Sequence, residues 1–301
     1  MVRRISLQLL SLCLLIALAG VSARAAEPLS LAKVVIALKP DKNPDLMQQE
    51  KKALEAFLSA QLGRPVETIV PLSSAVIFEG LANGTIDLGY LSATDMLNVR
   101  DKNVASILLA GEFPDGKTSY ESYWVVKKEA PYQSIADLRG RPVAFASKTS
   151  TSGFVLPLLD LSRRGLLGAN ADPEGFFGRG NVFYGVGYVS AIERVLAGEA
   201  EAAAVSYYVL DLDKHLSEAQ RAQLRRLQAQ GPVPSHVIAV RASIAPGDVE
   251  RLRAALLALN APGAMELRDK LFTTKLAPVD AEAHLAPLAE GLALARRALR
   301  Q

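Results

Sequence analysis

At 301 residues the chain has room for two cores of ordinary size, and with half its residues apolar and 22% charged it has a globular composition. Its formal net charge of +3 comes from the leader: removing Arg3, Arg4 and Arg24 from the 34 Lys and Arg leaves 31 basic against 31 acidic side chains, so nothing favours nucleic-acid or membrane-surface binding. The single cysteine, Cys13, lies in the same leader, which excludes a disulfide framework, a thiol nucleophile and a cysteine metal site from the rest of the chain.

The leader itself has a basic start, an apolar run from Leu9 through Ala19 and a small-residue pattern Ala23-Arg24-Ala25. These are the parts of a secretory signal peptide, with cleavage expected near Ala25. Leu12 is too bulky before Cys13 for a lipid-anchoring signal, so no lipid anchor is expected there. No later stretch reaches the roughly 18 uninterrupted apolar residues that a membrane span requires.

After the leader, Lys33-Val34-Val35-Ile36-Ala37-Leu38 reads as a buried strand. Residues 45–62 carry Met47, Leu54, Phe57, Leu58 and Leu62 at helical spacing, and 66–70 read as a second strand. A helix over 74–82, a stop at Gly84 and an apolar strand over 86–91 complete a strand–helix alternation that points to parallel α/β units. The order of helix, glycine stop, acidic residue and small buried strand returns at Ser190-Ala191-Ile192-Glu193-Arg194-Val195-Leu196-Ala197-Gly198-Glu199-Ala200-Glu201-Ala202-Ala203. One such unit in each of two lobes accounts for the echo, although helix–glycine–strand is also a common α/β join.

Between the units, residues 120–127 read as a strand with an aromatic side, 135–140 as a short helix and 141–146 as a buried strand. Pro232-Val233-Pro234 reads as a break, followed by an apolar strand over 236–241. The strands at 120–127 and 236–241 are taken as the crossings between lobes. Tyr123 and Trp124 are expected to pack within their strand, and Lys148, His215 and His284 to lie on the surface.

The stretch Ser147-Lys148-Thr149-Ser150-Thr151-Ser152-Gly153 follows the strand at 141–146 and opens an apolar helix closing at Gly165. A helix start leaves backbone N–H groups unpaired and carries a partial positive charge, so consecutive hydroxyls and a glycine there can wrap an anion without an arginine. A capped helix with no ligand fits the same residues. No metalloprotease, nucleophile-elbow or Walker motif is present, and Gly185-Val186-Gly187-Tyr188-Val189-Ser190 is only a broken dinucleotide fingerprint, so neither an enzyme nor a cofactor or metal site is expected.

The run from Leu138-Arg139-Gly140 through Val143-Ala144-Phe145 to Ser150-Thr151-Ser152-Gly153 and Pro157 resembles the signature of the PhnD-like periplasmic binding proteins for phosphate, phosphite and phosphonate. Leu276-Ala277-Pro278-Val279-Asp280-Ala281-Glu282 resembles that family's closing segment. The resemblance implies a two-lobed α/β binding protein of type II, each lobe a mostly parallel sheet flanked by helices, with two crossing strands as hinge. Lobe one would comprise 27–119 with 236–301, and lobe two 120–235.

It also implies a ligand site in which Ser150, Thr151, Ser152 and Gly153 hold the phosphonyl oxygens and Tyr120 supplies an aromatic hydroxyl. Four further positions depart from the family pattern. Ser74 stands for a tyrosine, Tyr188 for a histidine, Tyr208 for a glutamate and His236 for an aspartate. Without those two acids, a compact oxyanion or alkylphosphonate is expected to be preferred over 2-aminoethylphosphonate, unless an acid such as Glu121 or Asp95 enters the site. The implied setting is the periplasm and the implied partner an inner-membrane ABC permease or, in the sensing members of this architecture, a membrane sensor kinase. A monomer without nucleic-acid partners is expected.

Overall fold

A computed structural model describes residues 29–38, 44–71, 73–212, 216–272 and 275–300. The leader with Cys13 and Ala25, and His215, lie outside the described residues.

The first half begins as the alternation predicts. β1 (Val34–Ala37), α1 (Pro44–Leu62), β2 (Val66–Ile69), α2 (Ser74–Asn83) and β3 (Leu88–Leu91) place β1 between β2 and β3, parallel to both. All four residues of β3 are buried, and the absence of a side chain at Gly89 lets α2 lie against it: an added Cβ would come within 2.7 Å of Ile77 Cγ2. α3 (Ala93–Arg100) then leads into β4 (Ala105–Glu112).

A second sheet is built from β5 (Ser119–Lys127), β6 (Val143–Phe145), β7 (Val182–Tyr184), β8 (Ala202–Ser206) and β9 (Leu224–Pro234), in the order β7-β6-β8-β5-β9. Its helices are α4 (Leu156–Arg163), preceded by a π-helical turn at Thr151–Val155, and α5 (Tyr188–Ala197). The chain then returns through β10 (Val237–Arg241), α6 (Pro246–Leu257), α7 (Met265–Leu271), β11 (Lys275–Ala277) and the long α8 (Ala281–Ala298). The completed first sheet has the order β11-β4-β10-β3-β1-β2.

Both sheets are mixed. β10 runs antiparallel to β3 and β4, and β5 runs antiparallel to β8 and β9, while the pairs around β1 and β6 are parallel. One repeated unit stands in each sheet: α2 ends at Gly84 with φ 81° and leads to β3, and α5 ends at Gly198 with φ 79° and leads to β8. A left-handed residue at that point closes a helix and turns the chain back, a conformation glycine adopts without steric cost.

Period-2 alternation sorts the side chains into three layers. On one face of the first sheet, Ile238 and Val240 of β10 pack with Leu54, Leu58, Leu252 and Leu256. Val237 and Ala239 turn the other way, into a core shared with Trp124, Phe145, Phe154 and Leu288 of α8. Beyond the second sheet, Tyr123 and Val125 pack with Ile192 and Val195 of α5. Tyr123 and Trp124 are thus packing residues, as expected.

Four expectations are corrected. Neither sheet is mostly parallel, and the strands at 120–127 and 236–241 each belong to one sheet rather than crossing between the two. The other two points are local. Pro232-Val233-Pro234 is not a break, because β9 runs through to Pro234. β9 is an edge strand bonded only to β5, and an edge tolerates residues that lack an N–H. His284 is not a surface residue: it is only 9% exposed, and its Nε2 lies 3.1 Å from the Ser235 carbonyl.

Residues 113–118 and 235–236 carry the chain between the sheets. These segments are tied together: Ser235 Oγ donates to the Gly111 carbonyl at 2.6 Å, Ser235 N–H to the Thr118 carbonyl, and Gly111 N–H to the His236 carbonyl.

Candidate functional site

A cleft of about 480 Å³ opens between the two sheets. The residues predicted for a site converge on it from both sides. Ser74 lines it from the start of α2, Tyr120 from β5, Ser150 and Thr151 from the turn before α4, Tyr188 from the start of α5, Tyr208 from the one-turn helix after β8, and His236 from the returning chain.

Gly153 and Ser152 stand behind this wall. Ser152 is fully buried, and its hydroxyl lies 2.7 Å from Tyr188 OH and 3.4 Å from Tyr120 OH. Its carbonyl accepts from Ser122 Oγ at 2.6 Å, and Ser122 in turn accepts from Gln230 Nε2 at 2.7 Å. Ser152 therefore fixes two tyrosines of the wall and is itself fixed by its backbone. At Gly153 any side chain would overlap the Ala146 methyl and approach Tyr188 to 3.2 Å, so close approach of the turn to β6 requires glycine.

The hydroxyl turn is wound more widely than an ordinary helix start. Val155 N–H bonds the Ser150 carbonyl at 3.0 Å, one residue further back than in an α-helix, and Ser150 Oγ caps Gly153 N–H at 3.0 Å. Thr151 is 4% exposed and meets the other side of the cleft. Its Oγ1 accepts from Thr94 N–H at 3.3 Å and lies 2.8 Å from Thr94 Oγ1.

Three residues that sequence reasoning did not assign to the site stand at the start of α3. Ser92 caps that helix by accepting from Asp95 N–H at 3.1 Å, Thr94 meets Thr151, and Asp95 lines the cleft. The pattern Ser92-x-x-Asp95 directly after the buried strand at 86–91 is a helix-start signal that marks this position in the sequence. Asp95 is thus the acid that enters the cleft, so the expectation against 2-aminoethylphosphonate, which required that no acid enter, does not follow from the missing acids at Tyr208 and His236. Glu121 lines a separate groove with Asp115 and Tyr207. Lys148 is exposed, its ammonium 4.8 Å from the centre of the Tyr184 ring, and lies outside the cleft.

Among the described residues, neither lysine nor arginine lines the cleft. The first turns of α2, α3 and α5 border it, and their dipoles add positive potential there, although in α3 the Thr94 and Asp95 N–H groups already bond Thr151 Oγ1 and Ser92 Oγ. Ser190 shapes the last of these by accepting from Val186 and Gly187 N–H and donating to the Gly187 carbonyl. Hydroxyls and helix starts without a fixed cation suit a small anion that is gripped by geometry.

Comparison with known proteins agrees with this architecture. The family described as "ABC transporter, phosphonate, periplasmic substrate-binding protein" matches residues 36–284. The phosphate-import protein PhnD of Mycolicibacterium smegmatis is 22% identical over 226 residues, which are 73% of this chain and 70% of that one. In fold the chain is similar to XAC2383 from Xanthomonas citri bound to chloride ion, with a TM-score of 0.74 at 24% identity over 88% of this chain and 99% of that one. It is equally similar to PhnD1 from Prochlorococcus marinus in complex with methylphosphonate, with a TM-score of 0.74 at 16% identity over 88% and 99%. With a family match over most of its length, the chain belongs to the periplasmic substrate-binding proteins of phosphonate ABC transporters.

Proposed function

We propose that the cleft captures a phosphorus oxyanion or small phosphonate, such as phosphite, phosphate or an alkylphosphonate, and presents it to an inner-membrane ABC permease. The observation that carries this reading is the convergence of the Ser150–Thr151 turn and three helix starts on one cleft that, among the described residues, no lysine or arginine lines. Tyr120, Tyr188 and the turn hydroxyls donate to the anion, Ser152 holds the tyrosines, and Thr94 with Asp95 closes the opposite wall. The two sheets are the cores of two lobes. Their closure brings Thr94 onto Thr151 and excludes water, which strengthens each hydrogen bond to the anion.

A ligand at a hundred times its dissociation constant adds about 2.7 kcal/mol to the folded state, enough to raise the melting temperature by several degrees. A thermal-shift screen of phosphite, phosphate, methylphosphonate, 2-aminoethylphosphonate, arsenite and sulfate is the test. The largest shift is expected from phosphite, phosphate or methylphosphonate. A screen in which no phosphorus compound moves the transition would refute the reading.

A further inference from the structure

Asp95 is an odd neighbour for an anion. It is the one carboxylate among the described residues that line the cleft, and those residues include neither lysine nor arginine. Its Oδ2 accepts from Ser92 Oγ at 2.7 Å and from Ser74 Oγ at 2.9 Å, so two hydroxyls from two helices hold it in the wall. Neither of these bonds uses Oδ1. The preceding residue, Thr94, bonds Thr151, which places the carboxylate at the end of the cleft where the hydroxyl turn lies.

A fully ionised oxyanion offers only acceptors. Set against Asp95 it would oppose two negative groups in a closed, poorly solvated space, with no proton between them. An oxyanion that keeps one proton turns the same carboxylate into a partner, because its hydroxyl donates a charge-assisted O–H···O⁻ bond to Asp95. Hydrogen phosphate, hydrogen phosphite and monoprotonated phosphonates carry such a proton near neutral pH; sulfate and sulfonates do not.

Resting on the phosphorus-oxyanion reading of the cleft, we propose that Asp95 is its specificity-determining residue: it admits singly protonated phosphorus oxyanions by accepting their proton-bearing oxygen, and rejects sulfate and sulfonates of the same shape.

The test is calorimetric titration of the full mature chain with methylphosphonate, methanesulfonate, sulfate and 2-aminoethylphosphonate, in wild type, Asp95→Asn and Asp95→Ser. The two replacements keep a polar group at a capped helix start, and their melting curves report that they fold. A hydrogen bond to a charged group carries roughly a 10- to 150-fold effect. Wild type is therefore expected to prefer methylphosphonate over methanesulfonate by about 100-fold or more, and both variants to bring that ratio below about tenfold, since Asn and Ser can donate to an oxygen that has no proton.

An unchanged ratio in the folded variants would overturn the inference and leave the cleft's role in phosphonate capture standing. So would a tightest fit to 2-aminoethylphosphonate that disappears with Asp95, because the carboxylate would then be receiving an ammonium. Binding of none of the four ligands by wild type would overturn the reading of the cleft and this inference with it.

Discussion

Ser150, Thr151 and Ser152 are adjacent in the chain and take three different parts. Ser150 caps Gly153, Thr151 reaches across to Thr94, and Ser152 turns inward to Tyr188. The run of hydroxyls was legible as a turn that opens a helix beside the cleft, but the division of labour was not, since it depends on the wide first turn that rotates Ser152 away from the cleft. Tyr188 and Tyr120 were placed at the site only through the family resemblance. Asp95 was named only as one of two acids within reach of the site, because the distance between residues 95 and 151 is set by the packing of two separate sheets.

His284 supplies a prediction at the same scale. Burial holds its imidazole below the ordinary value of 6.5, and the Ser235 carbonyl, which favours the charged form, offsets this only in part. The unfolded chain therefore takes up this proton at a higher pH than the folded chain does. The stability that depends on neutral His284 is complete above pH 6.5 and falls as the pH drops below it, by at most about 1.4 kcal/mol per pH unit for one proton. Urea unfolding at pH 7.5 and 5.5 should show a smaller acid loss in His284→Gln than in wild type. Equal losses would mean that another group is responsible.

At the scale of elements, the parallel units were read well because their signals are local: buried strand, amphipathic helix, glycine stop. Those of β1, α1, β2, α2, β3 and β8 fell close to where the sequence placed them. β4, α3, β7 and β9 were not read. β9 carries Arg225, Arg226, Gln228 and Gln230 among its apolar residues, and its place at a sheet edge follows from pairing with β5 rather than from its own pattern. The mixed character of both sheets was equally hidden, because the direction of β5 and β10 follows from where the chain crosses between sheets.

The joint of three first-sheet strands rests on one ion pair. Asp87 precedes β3, accepts from Val35 N–H of β1 at 2.8 Å and from Arg241 Nε of β10 at 2.8 Å, with the two side chains 7% and 14% exposed. Removing one partner leaves the other charge buried and unpaired, which costs about 3–5 kcal/mol. Asp87→Ala should lower the unfolding free energy by that amount in chemical denaturation. A loss under about 1 kcal/mol, the level of an exposed pair, would show that water reaches Arg241 and replaces the carboxylate.

At the scale of the whole molecule, two sheets share one inner core and are joined through 113–118 and 235–236, while α8 packs on both α3 and α4. Gly291 makes the last of these contacts possible, since an added Cβ would stand 3.0 Å from Val155 Cγ1 in the turn before α4. The C-terminal helix therefore packs against both the hydroxyl turn and the helix that carries Asp95.

All of this converges on the claim that the cleft grips a phosphorus oxyanion through the hydroxyl turn. Methylphosphonate titrated calorimetrically into wild type and into Thr151→Ala measures it directly. A hydroxyl bonded to a charged ligand contributes about 1.5–3 kcal/mol, so the variant should bind about tenfold to a hundredfold more weakly while keeping its melting temperature within a few degrees of wild type. Equal affinity in the two proteins would contradict the account.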